Sequence, residues 1–337
     1  MGPASLGRAD ADREDAVRIV IGGAAGFDDV PVLRELADRH DVAFAPDDAA
    51  LAEHLPTAEV FVSWTFRGSG LERHWPLARR LRWVHWCGAG VRPALFGDLV
   101  ASDVVLTNAR GVFDRAMAEY VLGTILAFAL RLPAALEEQR HRRWTYRHSE
   151  RLEGTTAVVV GVGAIGRRVG ELLAAAGVTV HGIGRTARET DTVFGRVHGR
   201  DDRVTLLGRA DWVVAVMPDT PGTEGWFGAD EFGAMKPTAR FVNVGRGSTV
   251  VERDLVEALR DGRIAGAALD VVAEEPLPAD SPLWTLPGVI LTPHMSGDYE
   301  GFEDDLCRQF LRLLAQDEAG VAPDNVVDKQ AGYVPGS

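Results

Sequence analysis

The segment 156–185, TAVVVGVGAIGRRVGELLAAAGVTVHGIGR, leaves little freedom for what is built around it. Ala157 to Val160 is a short run rich in β-branched residues, and Gly161, Gly163 and Gly166 follow it as G-x-G-x-x-G. An apolar helical stretch from Ile165 to Ala176 comes next, and after Gly177 the strand pattern resumes at Val178 to Ile183. In such a unit the first glycine permits the tight turn, the second lets a pyrophosphate approach the backbone, and the third brings the helix against the sheet. The free N–H groups at the helix start, here those of Ala164 and Ile165, attract the phosphates. A glycine-rich turn alone would say little, but one set between two strands and opening a helix spells a dinucleotide-binding unit.

The end of the second strand bears on which dinucleotide. An NAD site places an Asp or Glu about 20 residues on, to accept from the ribose 2′-hydroxyl. Here Gly184 lies 18 positions beyond Gly166 and is followed by Arg185, with no carboxylate in the slot. The planar fork of an arginine can pair with a 2′-phosphate, and Thr186 and Arg188 stand close enough in sequence to assist. The expectation is NADP(H) in preference to NAD(H). The plainer alternative makes Arg185 a solvated charge or a surface on which the adenine stacks.

The rest of the chain bounds the setting. Its 337 residues suit about two domains, and 46% hydrophobic content suffices for two cores. Tyr120 to Leu130, the nearest approach to a membrane span, is bounded by Glu119 and Arg131 and is too short to cross one. The polar N-terminal stretch has no apolar signal-peptide core, and residues 1–14 are expected to be a disordered lead-in. Cys87 and Cys307 are too few for a disulfide framework and wrongly spaced for a zinc site, so no metal is expected and a reducing cytoplasm fits. A net charge of −13 opposes nucleic-acid binding as the main task. The one basic cluster, Arg140 to Arg143 with Arg147 beside Trp144 and Tyr146, reads as a solvated helix end or interdomain loop.

Two α/β blocks follow from the periodicity. The first has strands at Val17 to Ile21, Val42 to Ala45, Val60 to Ser63, Arg82 to Trp86 and Val104 to Thr107, with a helical Val30 to Arg39. A long helix, Arg115 to Leu132, is expected to end at Pro133. The second block continues from Thr156 with strands at Trp212 to Val216, Arg240 to Val244, Gly266 to Asp270 and Val289 to Thr292. A final helix, Gly301 to Leu314, precedes a polar tail. Strands alternating with helices imply parallel, doubly wound sheets, whose ligands gather outside the carboxyl ends of the strands.

The segments placed there are GAGV, LTNARGV followed by MAEYVLG, GVGAIG, MPDTPGTEGWF, FVNVGRGSTV, ALDVVAEEPLP and LTPHMSG. In order and spacing, over roughly Val60 to Leu314, they resemble the D-isomer-specific 2-hydroxyacid dehydrogenase family. Gly184-Arg185 and Pro282-Leu283-Trp284 are similar to its glyoxylate and hydroxypyruvate reductase branch. The resemblance implies that Arg246 grips the carboxylate and carbonyl oxygen of a 2-oxo acid, a planar target that suits its rigid fork. It implies that the N–H groups of Gly88, Ala89 and Gly90 hold the carboxylate. His294 becomes the acid/base that protonates the carbonyl oxygen as hydride arrives, and Glu275 its carboxylate partner, favouring the charged imidazole. Glu274 stands as an alternative to its neighbour, although Glu275 directly precedes Pro276 as the family pattern requires.

Cofactor contacts implied by the same likeness extend to Met117, Pro218, Thr223, the Val244 carbonyl, Asp270 at the carboxamide, His294 and Gly297. Val272 stands where the family often has Phe, and Arg92 follows GAGV where Asp is common. Trp64, Phe66, Trp86 and Trp284 are either pocket or core aromatics.

The implied architecture is α/β, with two doubly wound parallel-sheet domains of the Rossmann or flavodoxin-like kind. Residues 114–297 form the cofactor domain, inserted into a substrate domain of 15–113 plus 298–337. Closure about the two crossings is expected to bring the Gly88 to Gly90 loop toward the nicotinamide and exclude water. A homodimer through the cofactor domain, sharing the apolar face of Ala116 to Leu130, belongs to the same expectation. The alternative function is a corepressor-like binding protein of this fold that senses dinucleotide redox state. A formate dehydrogenase is disfavoured because that related group has Gln at the position of Glu275.

Overall fold

The computed structural model describes residues 16–65 and 70–335, so the expected lead-in at 1–14 and Phe66 lie outside the described residues. The chain divides into two compact units, one running to Val112 and resuming at Glu300, the other spanning Phe113–Tyr299.

The first unit is built on a five-stranded parallel sheet of order β2-β1-β3-β4-β5. The strands are β1 (Arg18–Gly22), β2 (Asp41–Ala45), β3 (Val60–Ser63), β4 (Trp83–Trp86) and β5 (Val105–Asn108). All four residues of β3 and of β4 are buried, as expected of strands covered on both faces. The helical segment after β1 is not an α-helix but a 3-10 helix, Pro31–Asp38. Its apolar residues explain the difference: Val30, Leu33 and Leu36 are all fully buried, and a spacing of three stays on one face only when a turn holds three residues.

After the helix Phe302–Glu318 the chain is not the loose polar tail expected from composition. Val327 donates its N–H to the Leu106 carbonyl at 2.8 Å, and Thr107 bridges Val326 in antiparallel sense, so the segment docks beside β5. Lys329 Nζ then donates to the carbonyls of Leu99 (3.1 Å), Ser102 (2.6 Å) and Val104 (2.9 Å), satisfying acceptors that the end of the short helix Gly97–Ala101 leaves open.

The second unit carries an eight-stranded sheet of order β13-β12-β11-β10-β6-β7-β9-β8. Its strands are β6 (Thr156–Val160), β7 (Thr179–Ile183), β8 (Arg188–Asp191), β9 (Gly195–His198), β10 (Trp212–Ala215), β11 (Arg240–Asn243), β12 (Gly266–Leu269) and β13 (Val289–Leu291). Seven strands run parallel; β8 pairs antiparallel with β9. That hairpin is absent from the sequence reading because its strands are short and polar and so lack the alternation that marks a half-buried strand. The core beneath β10 and β11 is aromatic, with the Phe227 ring 4.7 Å from that of Phe241 and Phe232 packing edge-on against Phe241 at 5.5 Å.

The helix Asp114–Ala129 ends before Pro133, and Pro133 starts the next helix rather than stopping the first. Arg131 takes the left-handed conformation, φ 56°, and reorients the chain so that Leu132–Arg140 begins with proline at its second position, where no N–H is required. Two glutamates of that helix pair with part of the basic cluster: Glu138 accepts from Arg143 at 2.5 Å and Arg147 at 3.0 Å, and Glu137 from His141 at 2.8 Å.

Replacing Lys329 with Met is expected to leave three carbonyls of the first unit without their charged donor. The cost is about 2 kcal/mol, measured as a lower denaturant midpoint at unchanged slope. An unchanged midpoint would show that the docked segment contributes nothing to stability.

Candidate active site

Parallel strands of one sheet end on one edge, and in the second unit the order of strand addition reverses between β6 and β10, which opens a crevice at their carboxyl ends. The glycine turn fills the β6 side. Gly161 has φ 108°, and a Cβ there would lie 2.7 Å from the Val216 carbonyl oxygen. A Cβ on Gly166 would lie 1.9 Å from the Gly161 oxygen, so the helix Ala164–Ala175 can sit this close only on a bare Cα. Gly163 differs from both: a Cβ there would meet nothing within 4 Å. Internal packing does not require this glycine, and the open space beside it, at a helix start without a side-chain cap, is the cradle that an approaching pyrophosphate needs. Ala164 and Ile165 supply the first helical amides there.

At the end of β7, a Cβ on Gly184 would come within 2.8 Å of Val162 and 2.9 Å of Val197. The slot for a ribose-binding carboxylate is therefore occupied by two valine side chains. Arg185 and Thr186 follow in an exposed bend. Arg188 is held by Asp191 at 3.2 Å, and Arg167 grips the same carboxylate at 2.5 Å. Burial works against the Asp191 charge, but the Arg167 hydrogen bond and charge, with the Val193 and Phe194 N–H groups, hold its carboxyl at about 2.

Beyond β10, Pro218 is exposed and its carbonyl accepts from the Thr223 hydroxyl at 2.6 Å. The same hydroxyl accepts the Thr220 N–H at 3.0 Å, so Thr223 shapes the turn that Pro218 opens. Val244, after β11, is buried and donates its N–H to the Ala215 carbonyl at 3.0 Å.

Arg246 stands between two glycines that have no room for a side chain. A Cβ would lie 2.8 Å from the Met217 oxygen at Gly245 and 1.8 Å from the Val272 oxygen at Gly247. The Asn243 amide and the Thr249 hydroxyl both donate to the Arg246 carbonyl, at 3.1 and 2.7 Å, and fix the backbone. Of the guanidinium donors only Nη1 is engaged among the described residues, with the Gly245 carbonyl at 2.7 Å. Burial pushes this guanidinium below its ordinary pKa, while Glu275, Asp219 and Asp270 work to keep it charged.

His294 and Glu275 meet. Nδ1 of the imidazole and Oε2 of the carboxylate are 2.7 Å apart, and Oε1 accepts the Val272 N–H at 3.3 Å. Glu274 makes no such contact, so of the two neighbours Glu275 is the partner. Burial works against its charge, yet the His294 hydrogen bond and charge, the Val272 N–H and Arg246 together hold the Glu275 carboxyl below the usual carboxylate range. With Nδ1 so engaged, the opposite ring nitrogen, Nε2, is the one left to exchange a proton with a ligand.

Asp270 is tied into the turn that follows β13. Its buried carboxylate accepts the Thr292 hydroxyl (2.6 Å), the Met295 N–H (2.9 Å) and the Ser296 N–H (2.9 Å). Its backbone oxygen accepts the His294 N–H at 2.9 Å. Three of about four acceptor positions thus organise the turn that carries His294, whose φ of 54° is strained for a non-glycine residue. Tyr120, which the sequence reading passed over, joins this network through its hydroxyl, 2.7 Å from Thr292 Oγ1. Burial raises the Tyr120 phenol to about 12.

Met117 is buried in the helix Asp114–Ala129, and Gly297 packs on Phe113, whose ring carbon would be 3.1 Å from an added Cβ. Val272 packs against the core of this unit. Among the aromatic candidates Trp86 is core, 2% exposed, whereas Trp284 is 55% exposed and donates its indole N–H to the Pro278 carbonyl. The Gly88 to Gly90 loop follows β4 in the first unit.

A family model described as "D-isomer specific 2-hydroxyacid dehydrogenase, NAD binding domain" matches residues 122–296. The chain is 33% identical over 218 residues to glyoxylate/hydroxypyruvate reductase A of Photorhabdus laumondii, a match covering 64% of this chain and 68% of that protein. It is similar in structure to a D-isomer specific 2-hydroxyacid dehydrogenase from Xanthobacter autotrophicus Py2 in complex with NADPH and MES, with 30% identity and TM-score 0.82 over 94% of this chain and 100% of that one. An NADPH-dependent glyoxylate/hydroxypyruvate reductase from Sinorhizobium meliloti, in complex with NADP and sulfate, matches with 28% identity and TM-score 0.82 over 94% and 100%. A glycine cradle at a strand switch point, an arginine with open donors and a carboxylate-paired histidine coincide with these likenesses, and the chain belongs to the D-isomer-specific 2-hydroxyacid dehydrogenase family.

Proposed function

We propose that the protein is a reductase of small 2-oxo acids of the glyoxylate and hydroxypyruvate kind, using NADP(H) in preference to NAD(H). The observation that carries this reading is the His294–Glu275 pair at 2.7 Å beside an Arg246 whose fork has unengaged donors.

The bound dinucleotide supplies hydride to carbon 2 of the acid. Arg246 binds the carboxylate and the carbonyl oxygen together, and the developing negative charge on that oxygen strengthens its grip. His294 delivers a proton to the same oxygen, and Glu275 orients the ring. The Gly88, Ala89 and Gly90 amides complete the hold on the carboxylate. A small substrate is favoured because nothing beyond the 2-oxo acid group is needed to engage these donors. The cofactor preference rests on the filled slot at Gly184 and on Arg185 at the exposed bend after it. The redox-sensing alternative has no observation of its own in its favour.

The chain acts as a homodimer in this reading. Leu126, Leu130, Leu132 and Leu136 are exposed on the second unit, and Trp144 and Tyr146 are 103% and 81% exposed, apolar surface that a subunit interface would cover. Two free, buried cysteines suit a reducing, cytoplasmic setting, and among the described residues no single helix is long and apolar enough to cross a membrane.

Replacement of His294 with Ala is expected to lower kcat by about 10²- to 10⁴-fold while the dissociation constant for NADPH changes little; an unaltered kcat contradicts the assignment. The kcat/KM for NADPH should exceed that for NADH, and the Gly184→Asp variant should not gain NADH activity without a loss of stability, since its side chain must displace two valines. Equal use of both cofactors removes the basis for the preference. Because Glu275 is held below the ordinary glutamate range of about 4.3, its charge persists as pH falls through that range and is lost only below it. Glu275→Gln removes that charge at every pH, so kcat for reduction should fall while the dissociation constant for NADPH changes little. An unaltered kcat opposes the pairing. Light scattering should give twice the chain mass, and a monomer would oppose the dimer.

A further inference from the structure

The Gly88-Ala89-Gly90 loop of the first unit is held from behind at every carbonyl. The Gly88 oxygen accepts the Ala109 N–H at 3.1 Å, the Ala89 oxygen accepts Asn108 Nδ2 at 2.7 Å, and the Gly90 oxygen accepts the Trp86 indole N–H at 2.9 Å. In a planar trans peptide the carbonyl of one residue and the N–H of the next point in opposite directions. Tying the Gly88 and Ala89 oxygens inward therefore aims the Ala89 and Gly90 N–H groups outward. Among the described residues those two N–H groups donate to no hydrogen bond.

We infer that Trp86 and Asn108 are positioning residues for the substrate carboxylate, holding this loop as a preformed pair of outward amides. The inference rests on the proposed role of the loop in carboxylate binding and adds what makes the loop competent. Both side chains come from strand ends that the sheet register sets side by side, Trp86 opposite Asn108 in the β4–β5 pair. Both are buried, at 2% and 4% exposure, so neither is an adjustable surface contact. Gly88 packs directly on the indole, where an added Cβ would come within 2.7 Å of Trp86 Nε1. Asn108 is itself immobilised: its Oδ1 accepts the Arg110 N–H at 3.3 Å and its carbonyl accepts Asn325 Nδ2 at 3.3 Å. Asn325 Nδ2 also donates to the Arg110 carbonyl at 3.0 Å, so the docked C-terminal segment braces the loop's support.

Such a loop acts before the chemistry. The carboxylate carries the same charge in the ground state and in the transition state, so loosening its seat weakens binding of both equally and raises KM without lowering kcat. Amides fixed in advance also avoid the entropy of ordering a glycine-rich loop when substrate arrives.

The test compares the full-length enzyme with Trp86→Phe, which keeps an aromatic ring and removes the indole N–H, and with Asn108→Ala. Steady-state reduction of hydroxypyruvate by NADPH should show KM for the 2-oxo acid raised roughly tenfold, with kcat within about twofold and KM for NADPH unchanged. A purely structural role would lower the melting temperature and the active fraction, and hence kcat, at unchanged KM; that result overturns the inference. Ala89→Pro, which deletes one of the two amides, separates the inference from the reading beneath it. If Ala89→Pro raises KM while Trp86→Phe and Asn108→Ala do not, the positioning role fails and the loop keeps its function. If all three leave KM unchanged, the loop's role in carboxylate binding fails as well.

Discussion

Five neighbouring parallel strands, β6 and β10 to β13, end on the same edge of one sheet, and the chemistry of the second unit depends on what the chain does in the few residues after each of them. Parallel strands align their carboxyl ends without any side chain having to arrange it. The glycine cradle, the Pro218 turn, Arg246, Asp270 and His294 are delivered in order along that edge. Close backbone approaches then fix each one. Gly161, Gly166, Gly245 and Gly247 each sit where a Cβ would lie under 3.0 Å from another backbone atom, so the turns cannot relax without the sheet moving.

Within that frame the Asp270 carboxylate holds the histidine. A buried carboxylate is costly unless its acceptors are satisfied, and Asp270 satisfies three of them with donors of the turn from Thr292 to Ser296. The same bonds maintain the left-handed backbone at His294, which the residue would not choose by itself. From that position the ring reaches Glu275, nineteen residues earlier in the chain. The carboxylate that orients the histidine and the carboxylate that orients its turn are thus two different residues, and the first is partly exposed while the second is buried.

Much of this was legible in the sequence, for a physical reason that differs by element. The buried strands β3, β6, β10 and β12 are short, mostly apolar runs, and the pattern places them without any knowledge of the fold. The glycine turn is legible because Gly161 and Gly166 meet close backbone approaches and Gly163 leaves the open space that a pyrophosphate needs. The pairing of Glu275 with His294 depended on the family resemblance, since spacing along the chain does not bring two turns together. Pro133 was misread because proline both ends and begins helices, and the difference lies in the left-handed Arg131, which no local pattern announces. The sequence does not single out Asn108, Tyr120 or Asn325, and offers Trp86 only as a pocket or core aromatic. Each acts by hydrogen-bonding a backbone or a hydroxyl brought near only by the fold, and an apolar or amide residue at a strand end looks the same whether or not it does so.

The central claim is hydride transfer to carbon 2 of a 2-oxo acid at the edge where Arg246 and His294 stand. Turnover of hydroxypyruvate with NADPH deuterated at the transferable position of the nicotinamide ring, followed by mass spectrometry of the product, tests it most directly. The account predicts a 2-hydroxy acid that carries one deuterium on carbon 2. Product without the label, or tight dinucleotide binding with no product at all, would contradict it.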